Sequence, residues 1–153
     1  MAGELGFDTG PYVNAACFCE QAIQEKDDVL TLVRIVDQMT LSVSDPAAPD
    51  DLPAGGAIST TLVIALKAGQ AKGRSGVQVT MEHPDGSRHP GPKLPVHFTG
   101  GENNGANLVL KMAIELTSAG IYWADVSVND RLVTRVPLEI RYQKLPPGTQ
   151  PLA

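Results

Sequence analysis

The sequence predicts an all-β fold, a two-sheet antiparallel β-sandwich of about eight strands, immunoglobulin-like or C2-like in architecture. Three observations support this prediction. Apolar residues alternate with polar ones along short runs, as they do in strands with one buried face. The 15 glycines and 12 prolines separate these runs with turns. Strands and connections are spread over the whole chain of 153 residues, which is typical of one sandwich domain.

The clearest alternation lies between residues 108 and 142. The three runs LVLKMAIEL, IYWADVSV and LVTRVPLEIRY all carry their large apolar residues mainly at even positions. Because successive side chains of a strand point to opposite faces, the even residues of each run share one face. We therefore expect the even-numbered residues to form the core face of all three strands.

The turn at Asn129-Asp130 is constrained by this parity. A plain two-residue loop would pair Val128 with Arg131 and turn one strand inside out. We expect instead a three-residue loop over 129–131, or a two-residue turn followed by a bulge. The predicted register places Val128 opposite Leu132, and Asp125 opposite Arg135 as an exposed charge pair.

The rest of the chain completes the predicted sandwich. The predicted domain covers residues 11–144, between an N-terminal tail at 1–10 and a Pro-rich C-terminal tail at 145–153. Further strands are predicted at 12–23, 30–43, 58–67, around 77–81 and at 90–98, the last as an edge strand because it carries three prolines. A helix over 17–27 is an alternative to the first strand. The parity of 30–43 breaks, which predicts a bulge near Val33-Arg34.

Composition excludes several classes of function. The formal charge is −5 and Lys and Arg are not clustered, which argues against a nucleic-acid partner. No run of about 18 apolar residues exists for membrane insertion. The first residues lack the pattern of a secretory signal. Cys17 and Cys19 are the only cysteines, and two reduced thiols are expected because their spacing suits a disulfide poorly. These features predict a cytoplasmic protein.

The sequence offers only weak candidates for metal-ligating or ligand-binding residues. His83, Asp85 and His89 straddle a predicted turn, and we interpret them as a solvated hairpin tip rather than a metal site. Asp45, Asp50 and the adjacent Asp51 lie in a loop with three prolines and match no calcium motif. We therefore expect no catalytic, cofactor-binding or metal-binding residues, and no enzyme activity.

Trp123 is the residue that parity places on an outer face. It is expected to lie near three apolar side chains and one arginine, in a patch with a charged rim that suits an interface. The interface candidates are Trp123, Val109, Ala113, Val133 and Arg135. The alternative is that the tail at 145–152 covers Trp123.

The segment from Leu116 to Ala124, LTSAGIYWA, resembles the corner before the penultimate strand of immunoglobulin-like and fibronectin-like domains. In that corner a tyrosine hydroxyl bonds to the backbone just upstream, a role that Tyr122 matches. Antibody domains have a cysteine two residues later, whereas this chain has Ala124. The chain is therefore not a true immunoglobulin domain.

Four motifs give a wider resemblance, to an uncharacterised bacterial family of small single-domain β-sandwich proteins. They are VNAACFCEQAI, LTLVRIVDQM, HPDG and AGIYWADVSVND. The resemblance implies a β-sandwich in the cytosol, and it implies no activity and no catalytic residues.

Two hypotheses of function remain. The first is a non-enzymatic protein-interaction or assembly module that acts through a protein partner or self-association. The alternative is a ligand-binding sandwich, calcium-dependent and C2-like or carbohydrate-binding, that uses the loops at 45–56 and 99–106.

Overall fold

The computed structural model describes residues 9–146, which form nine β-strands in this range. The strands are β1 (Tyr12–Gln24), β2 (Leu30–Val36), β3 (Gln38–Val43), β4 (Ala57–Lys67), β5 (Gly73–Glu82), β6 (Arg88–Phe98), β7 (Gly105–Glu115), β8 (Gly120–Val128) and β9 (Arg131–Lys144). They confirm the predicted all-β sandwich. Within the described range there is no helix of the length and apolarity needed to span a bilayer, and residues 17–24 belong to β1 rather than to a helix.

The strands form two sheets. The four-stranded sheet has the order β2-β1-β4-β7, and the five-stranded sheet has the order β3-β9-β8-β5-β6. All neighbouring strands are antiparallel except β3 and β9, which are parallel. The edge position predicted for the proline-rich strand is confirmed, since β6 ends the five-stranded sheet.

The core lies between the two sheets and follows the predicted parity over most of 108–142. The fully buried side chains of β8 and β9 there are Tyr122, Ala124, Val126, Leu138 and Ile140. Even residues of β7 face them from the opposite sheet, and Leu108, Leu110 and Met112 pack against the same core. Burial of one large aliphatic side chain contributes roughly 1.5–3 kcal/mol, so this core determines the register of the strands.

The β8–β9 hairpin combines a confirmed register with one wrong pair. Asp125 lies opposite Arg135 as predicted, but Val128 lies opposite Arg131, and Leu132 is 53% exposed. The second of the two predicted turns is the one observed. Asn129 and Asp130 have φ of 50° and 66°, a two-residue turn, and the register shifts by one residue after it. The extra residue of the bulge is Val133, so even-numbered residues of β9 face the core again only from Thr134 onwards.

The predicted strand at 30–43 is two strands in different sheets. The chain leaves the four-stranded sheet after Val36 and enters the five-stranded sheet at Gln38. The predicted bulge is wrong, because β1 and β2 pair in one register across Val33-Arg34, although Arg34 has a left-handed φ of 54°. Ile35 was expected on the inner side and is instead 67% exposed. The alternation is therefore interrupted twice, by the left-handed Arg34 and by the change of sheet after Val36, and a single bulge could not account for the pattern.

The β1–β2 hairpin folds back over the outer face of the four-stranded sheet. The amide of Asn107 on β7 donates to the backbone oxygen of Asp28 in the hairpin turn, at 3.2 Å. Ala15 and Asn107 both pair with Ala65 of β4. A straight β1 would carry Asp28 about 43 Å beyond Ala15, so this contact requires the strand pair to bend.

The two loops of the ligand-binding alternative lie at opposite ends of the molecule. Gly55 and Gly56 bond to Leu116 beside the start of β4, whereas Asn104 accepts from Ala68 just after its end. The 11 residues of β4 separate these ends by about 33 Å. The 45–56 and 99–106 loops therefore cannot form one binding site.

The strands occupy most of the predicted domain, 11–144. The predicted tails, 1–10 and 145–153, fall largely outside the described residues. The proposed cover of Trp123 by the tail at 145–152 also lies mostly outside them.

Candidate functional site

Trp123 lies on the outer face of the five-stranded sheet, as parity predicted, but it is half-buried. The guanidinium carbon of Arg135 lies 4.6 Å from the centroid of its ring, which is a cation–π contact. The same guanidinium donates to Asp125 and Glu82, at 2.6 and 2.7 Å. Trp123 therefore packs against a cluster of charged side chains and is not the centre of an apolar patch.

Asp125 is the buried centre of this cluster. It is only 3% exposed and accepts from both Arg135 and Arg88, the latter at 2.9 Å. Glu82 bridges the same two arginines. The hydrogen bond to Asp125, followed by that to Glu82, raises the pKa of the Arg135 guanidinium. The two acids and two bases neutralise one another, so the cluster stabilises the sheet without presenting a net charge.

Three of the five interface candidates are not beside Trp123, which corrects the predicted patch. Val109 and Ala113 lie on β7, in the other sheet of the sandwich. Val133 is the extra residue of the β9 bulge and packs against the core. The prediction assumed that consecutive strands share a sheet, whereas the chain crosses between sheets from β7 to β8. The structure brings together only Trp123 and Arg135.

The crossing from β7 to β8 is held by Tyr122, as the resemblance to immunoglobulin-like corners implied. Its hydroxyl donates to the Ser118 carbonyl at 2.6 Å and accepts from the backbone N–H groups of Thr117 and Ser118. The ring is fully buried. This corner therefore fixes the change of sheet that separates Val109 and Ala113 from Trp123.

His83 is buried at one end of the core. The prediction that it lies in a solvated hairpin tip is therefore wrong. It is 6% exposed, its Nε2 lies 2.9 Å from the Glu115 carbonyl oxygen, and its ring contacts His89 and Tyr122 edge-on. Asp85 is engaged elsewhere, since Ser87 donates to it through both Oγ and N–H. These bonds lower the pKa of Asp85. Within residues 9–146 no three His, Cys, Asp or Glu side chains are arranged to hold a metal ion.

Cys17 and Cys19 are free thiols on the outer face of the four-stranded sheet. Cys19 is fully buried and Cys17 is half-buried. Burial raises the pKa of both thiols, and for Cys17 the neighbouring Cys19 adds to the effect. A raised thiol pKa means less nucleophilic thiolate near neutral pH, so neither cysteine has the environment of a reactive thiol.

The β1–β2 hairpin lies over part of the same outer face. Leu30 and Leu32 of the hairpin line a groove of about 410 Å³ together with Val63 and Ala65 of β4. Val63 is 1% exposed although it points away from the main core. The inner side of the hairpin therefore packs on the sheet as a second, smaller apolar layer.

Exposed apolar side chains are concentrated on the same hairpin. Of the seven large apolar residues exposed in the described range, four lie here: Ile23, Val29, Val33 and Ile35. Ile35 and Val29 are the two most exposed of the seven, at 67% and 55%. We call these four residues the hairpin patch. It was not predicted from the sequence, although the break in parity between Leu32 and Ile35 was the signal that both sides of this strand are apolar.

The acidic loop at 45–56 is docked against β9. Tyr142 donates to the Pro49 carbonyl at 2.7 Å, and Lys144 forms an ion pair with Asp50 at 3.1 Å. Asp45 accepts from the Ala47 N–H within the loop. These contacts engage two of the three aspartates that were compared with a calcium motif.

Comparison with known proteins gives limited likenesses. No curated protein is detectably similar in sequence. An immunoglobulin-like protein of Pseudomonas aeruginosa is 15% identical, with a TM-score of 0.36, over 86% of this chain and 97% of that one. The alkylpurine DNA glycosylase AlkC of Pseudomonas fluorescens, bound to DNA with an abasic-site analogue, is 11% identical with a TM-score of 0.40. That match covers 67% of this chain and only 27% of the glycosylase.

The sequence itself matches a family over residues 14–141, a range that begins in β1 and ends in β9. The matched range includes the hairpin patch, the Tyr122 corner and the Asp125 cluster. The expected resemblance to an uncharacterised family of β-sandwich proteins is confirmed. The chain belongs to the family of unknown function DUF6941.

Proposed function

We propose that the chain is a non-enzymatic protein-interaction or assembly module, and that the hairpin patch is its main contact surface. The observation that carries this proposal is the concentration of exposed aliphatic side chains on one hairpin. Exposed apolar residues that are clustered, unlike scattered ones, are typical of protein interfaces. The partner is a protein that offers a complementary apolar surface.

The state of the reactive side chains supports a role without catalysis. The candidate acid–base groups are held in structural contacts: His83 with the Glu115 carbonyl, Asp85 with Ser87, and Asp125 with two arginines. A catalytic base or nucleophile needs a free lone pair directed at a substrate. Asp85 and Asp125 direct theirs at Ser87 and at the two arginines, and His83 donates its Nε2–H to the Glu115 carbonyl.

Two contacts hold the hairpin that carries the hairpin patch. Glu20 and Arg34 form an ion pair across the hairpin at 3.4 Å, and Asn107 holds the hairpin turn against β7. An apolar surface that is ordered before binding loses less conformational entropy on association.

The test compares two matched substitutions. Ile35→Asp places a charge in the hairpin patch, and Ile121→Asp makes the same change at an isoleucine that is 46% exposed on the Trp123 face. Sedimentation velocity reports self-association, and affinity capture with the purified chain reports partners. We expect Ile35→Asp to abolish the capture of the partner by the purified chain and Ile121→Asp to preserve it.

Two results count against the proposal. Loss of association only with Ile121→Asp, or with Trp123→Asp, transfers the contact to the Trp123 face. A parent chain that stays monomeric and captures no partner removes the interaction function. Circular dichroism and the melting temperature of each variant show whether it is folded.

A further inference from the structure

The β7 strand has a free edge. In the four-stranded sheet it pairs with β4 through all 11 of its residues, and no described strand pairs with its other side. Its contacts with β6, the edge strand of the facing sheet, are sparse. No strand pairs with the outward backbone N–H and C=O groups of β7 within residues 9–146, although the Glu115 carbonyl at the end of the strand accepts from His83 Nε2. Such an edge is a template for another strand.

The other three edge strands are protected or irregular, and β7 is neither. Pro90, Pro92 and Pro95 interrupt the β6 edge. The left-handed backbone of Arg34 interrupts β2. The β3 strand has only six residues. By contrast, β7 contains no proline and no residue with positive φ.

Two opposite charges lie on the outer side of this edge. Lys111 and Glu115 are four residues apart, both exposed, and both point to the face away from the core. Most charged side chains of the sheets form ion pairs, but within residues 9–146 neither of these two has an ion-pair partner. Ala113, with a small side chain, lies midway between them.

We propose that β7 pairs antiparallel with β7 of a second copy of this chain, with Lys111 of each copy opposite Glu115 of the other. In an antiparallel pair about a two-fold axis at Ala113, residue numbers opposite each other have the same sum, and 111 and 115 are then partners. Two cross-strand ion pairs result from one register. The even residues of both strands keep facing the core side, as the buried face requires.

The surroundings of β7 suit an added strand. An apolar slot of about 200 Å³ opens between β6 and β7 and is lined by Val79, Leu94, Leu110 and Met112. A strand alongside β7 lies over the mouth of this slot and excludes water from it. Strand addition obtains affinity from main-chain hydrogen bonds and specificity from side-chain pairs, which here are Lys111 and Glu115.

This inference deepens the proposed interaction function, but it uses a different surface from the hairpin patch, so the two can fail separately. One pair of edge strands makes a small interface. We therefore expect a reversible monomer–dimer equilibrium that depends on protein concentration and weakens at high salt.

The charge pair provides a test that is specific for the register. Lys111→Glu alone places four acids at the edge, and Glu115→Lys alone places four bases there. We expect each single variant to raise the dimer dissociation constant about tenfold or more, measured by sedimentation velocity on the full chain. A mixture of the two single variants should form a heterodimer as tight as the parent dimer, and the double variant should also dimerise like the parent.

Two control variants distinguish this pairing from a general effect of charge. Lys72→Glu, the same charge change on an exposed loop residue, should leave the equilibrium unchanged. A lysine on an edge strand can also serve to prevent pairing, and in that case Lys111→Ala would strengthen association, whereas we expect it to weaken association. A monomeric parent, stronger association of Lys111→Ala, or no rescue in the mixture would overturn the proposal.

Discussion

Asp125 and Arg135 face each other across the β8–β9 pair, with 2.6 Å between the carboxylate Oδ1 and the guanidinium Nε. The carboxylate is only 3% exposed although it lies on the outer face of a sheet. It is covered because Arg88 approaches from β6 and Arg135 from β9, and the latter also stacks on Trp123. The sequence predicted an exposed pair that only reports the register. The structure places this pair at the centre of a cluster of charged residues from four strands.

The first prediction concerns this cluster. Asp125→Ala removes the acceptor shared by two guanidinium groups and should lower the free energy of unfolding by about 1–3 kcal/mol. We expect a loss of unfolding free energy in the lower part of this range, because both arginine side chains are partly exposed to water. Urea unfolding measures the change. Ser127→Ala, on the same face of β8, is the control and should change stability by less than about 0.5 kcal/mol; equal effects of the two would contradict the role of Asp125.

The second prediction concerns the corner that carries the chain between the sheets. Tyr122→Phe leaves the Ser118 carbonyl and two backbone N–H groups without their partner and should cost about 1–3 kcal/mol in thermal or urea unfolding. Tyr142→Phe loses a single hydrogen bond, to Pro49. It should cost no more than about 1.5 kcal/mol. A larger loss of stability for Tyr142→Phe than for Tyr122→Phe would show that the Tyr122 corner stabilises the fold less than the Tyr142–Pro49 hydrogen bond does.

The third prediction is a change of pKa. The pKa of Asp85 is lowered mainly by the Ser87 hydroxyl, whose Oγ lies 2.6 Å from Oδ1. A lowered folded-state pKa contributes stability above the unfolded pKa, and that stability is lost as pH falls through the folded value. Ser87→Ala should therefore raise the pKa of Asp85 towards its ordinary value and make stability less dependent on pH in the acid range.

Carboxyl-carbon NMR titration of Asp85 checks this change directly. Ser59→Ala, in the other sheet, should leave the Asp85 titration as it is in the parent. An Asp85 titration that is the same in Ser87→Ala and the parent would show that the hydroxyl does not stabilise the carboxylate.

The fourth prediction concerns the thiols. Because burial raises their pKa, Cys17 and Cys19 should react with a disulfide reagent more slowly in the native chain than in denaturant. Cys19 should be the slower, since it is fully buried. Cys17→Ser and Cys19→Ser each leave one thiol, so the two rates are measured separately. Native rates equal to the unfolded rates would mean that the fold does not protect these thiols.

Much of the fold was predictable because side-chain alternation is local. A strand with one buried face shows its period within a few residues, so alternation alone assigned the core face of β8, and that of β9 beyond its bulge, correctly. The Asp125–Arg135 pair follows from that parity. Turn chemistry is also local: Asn129 and Asp130 are residues that tolerate positive φ, which suits a two-residue hairpin turn.

Sheet assignment was not predictable in the same way. Parity states which side chains share a face of one strand, but it does not state which strands lie side by side. Val109 and Trp123 have the same parity and lie on opposite outer faces, because the Tyr122 corner moves the chain from one sheet to the other between them. The exposed apolar side of β2 has a similar origin, since Leu32 finds a second apolar layer only when the hairpin folds back.

The sequence by itself therefore determined the all-β class, the edge position of the proline-rich strand and most core-facing residues of the last hairpin, because these depend on periodicity and backbone chemistry within a few residues. The tertiary structure alone decided which outer faces are exposed. Long-range pairing buried Asp125 beneath two arginines, placed the 45–56 and 99–106 loops at opposite ends of β4, and left the hairpin patch and the β7 edge uncovered. Those contacts join residues far apart in the chain, and no local pattern encodes their proximity.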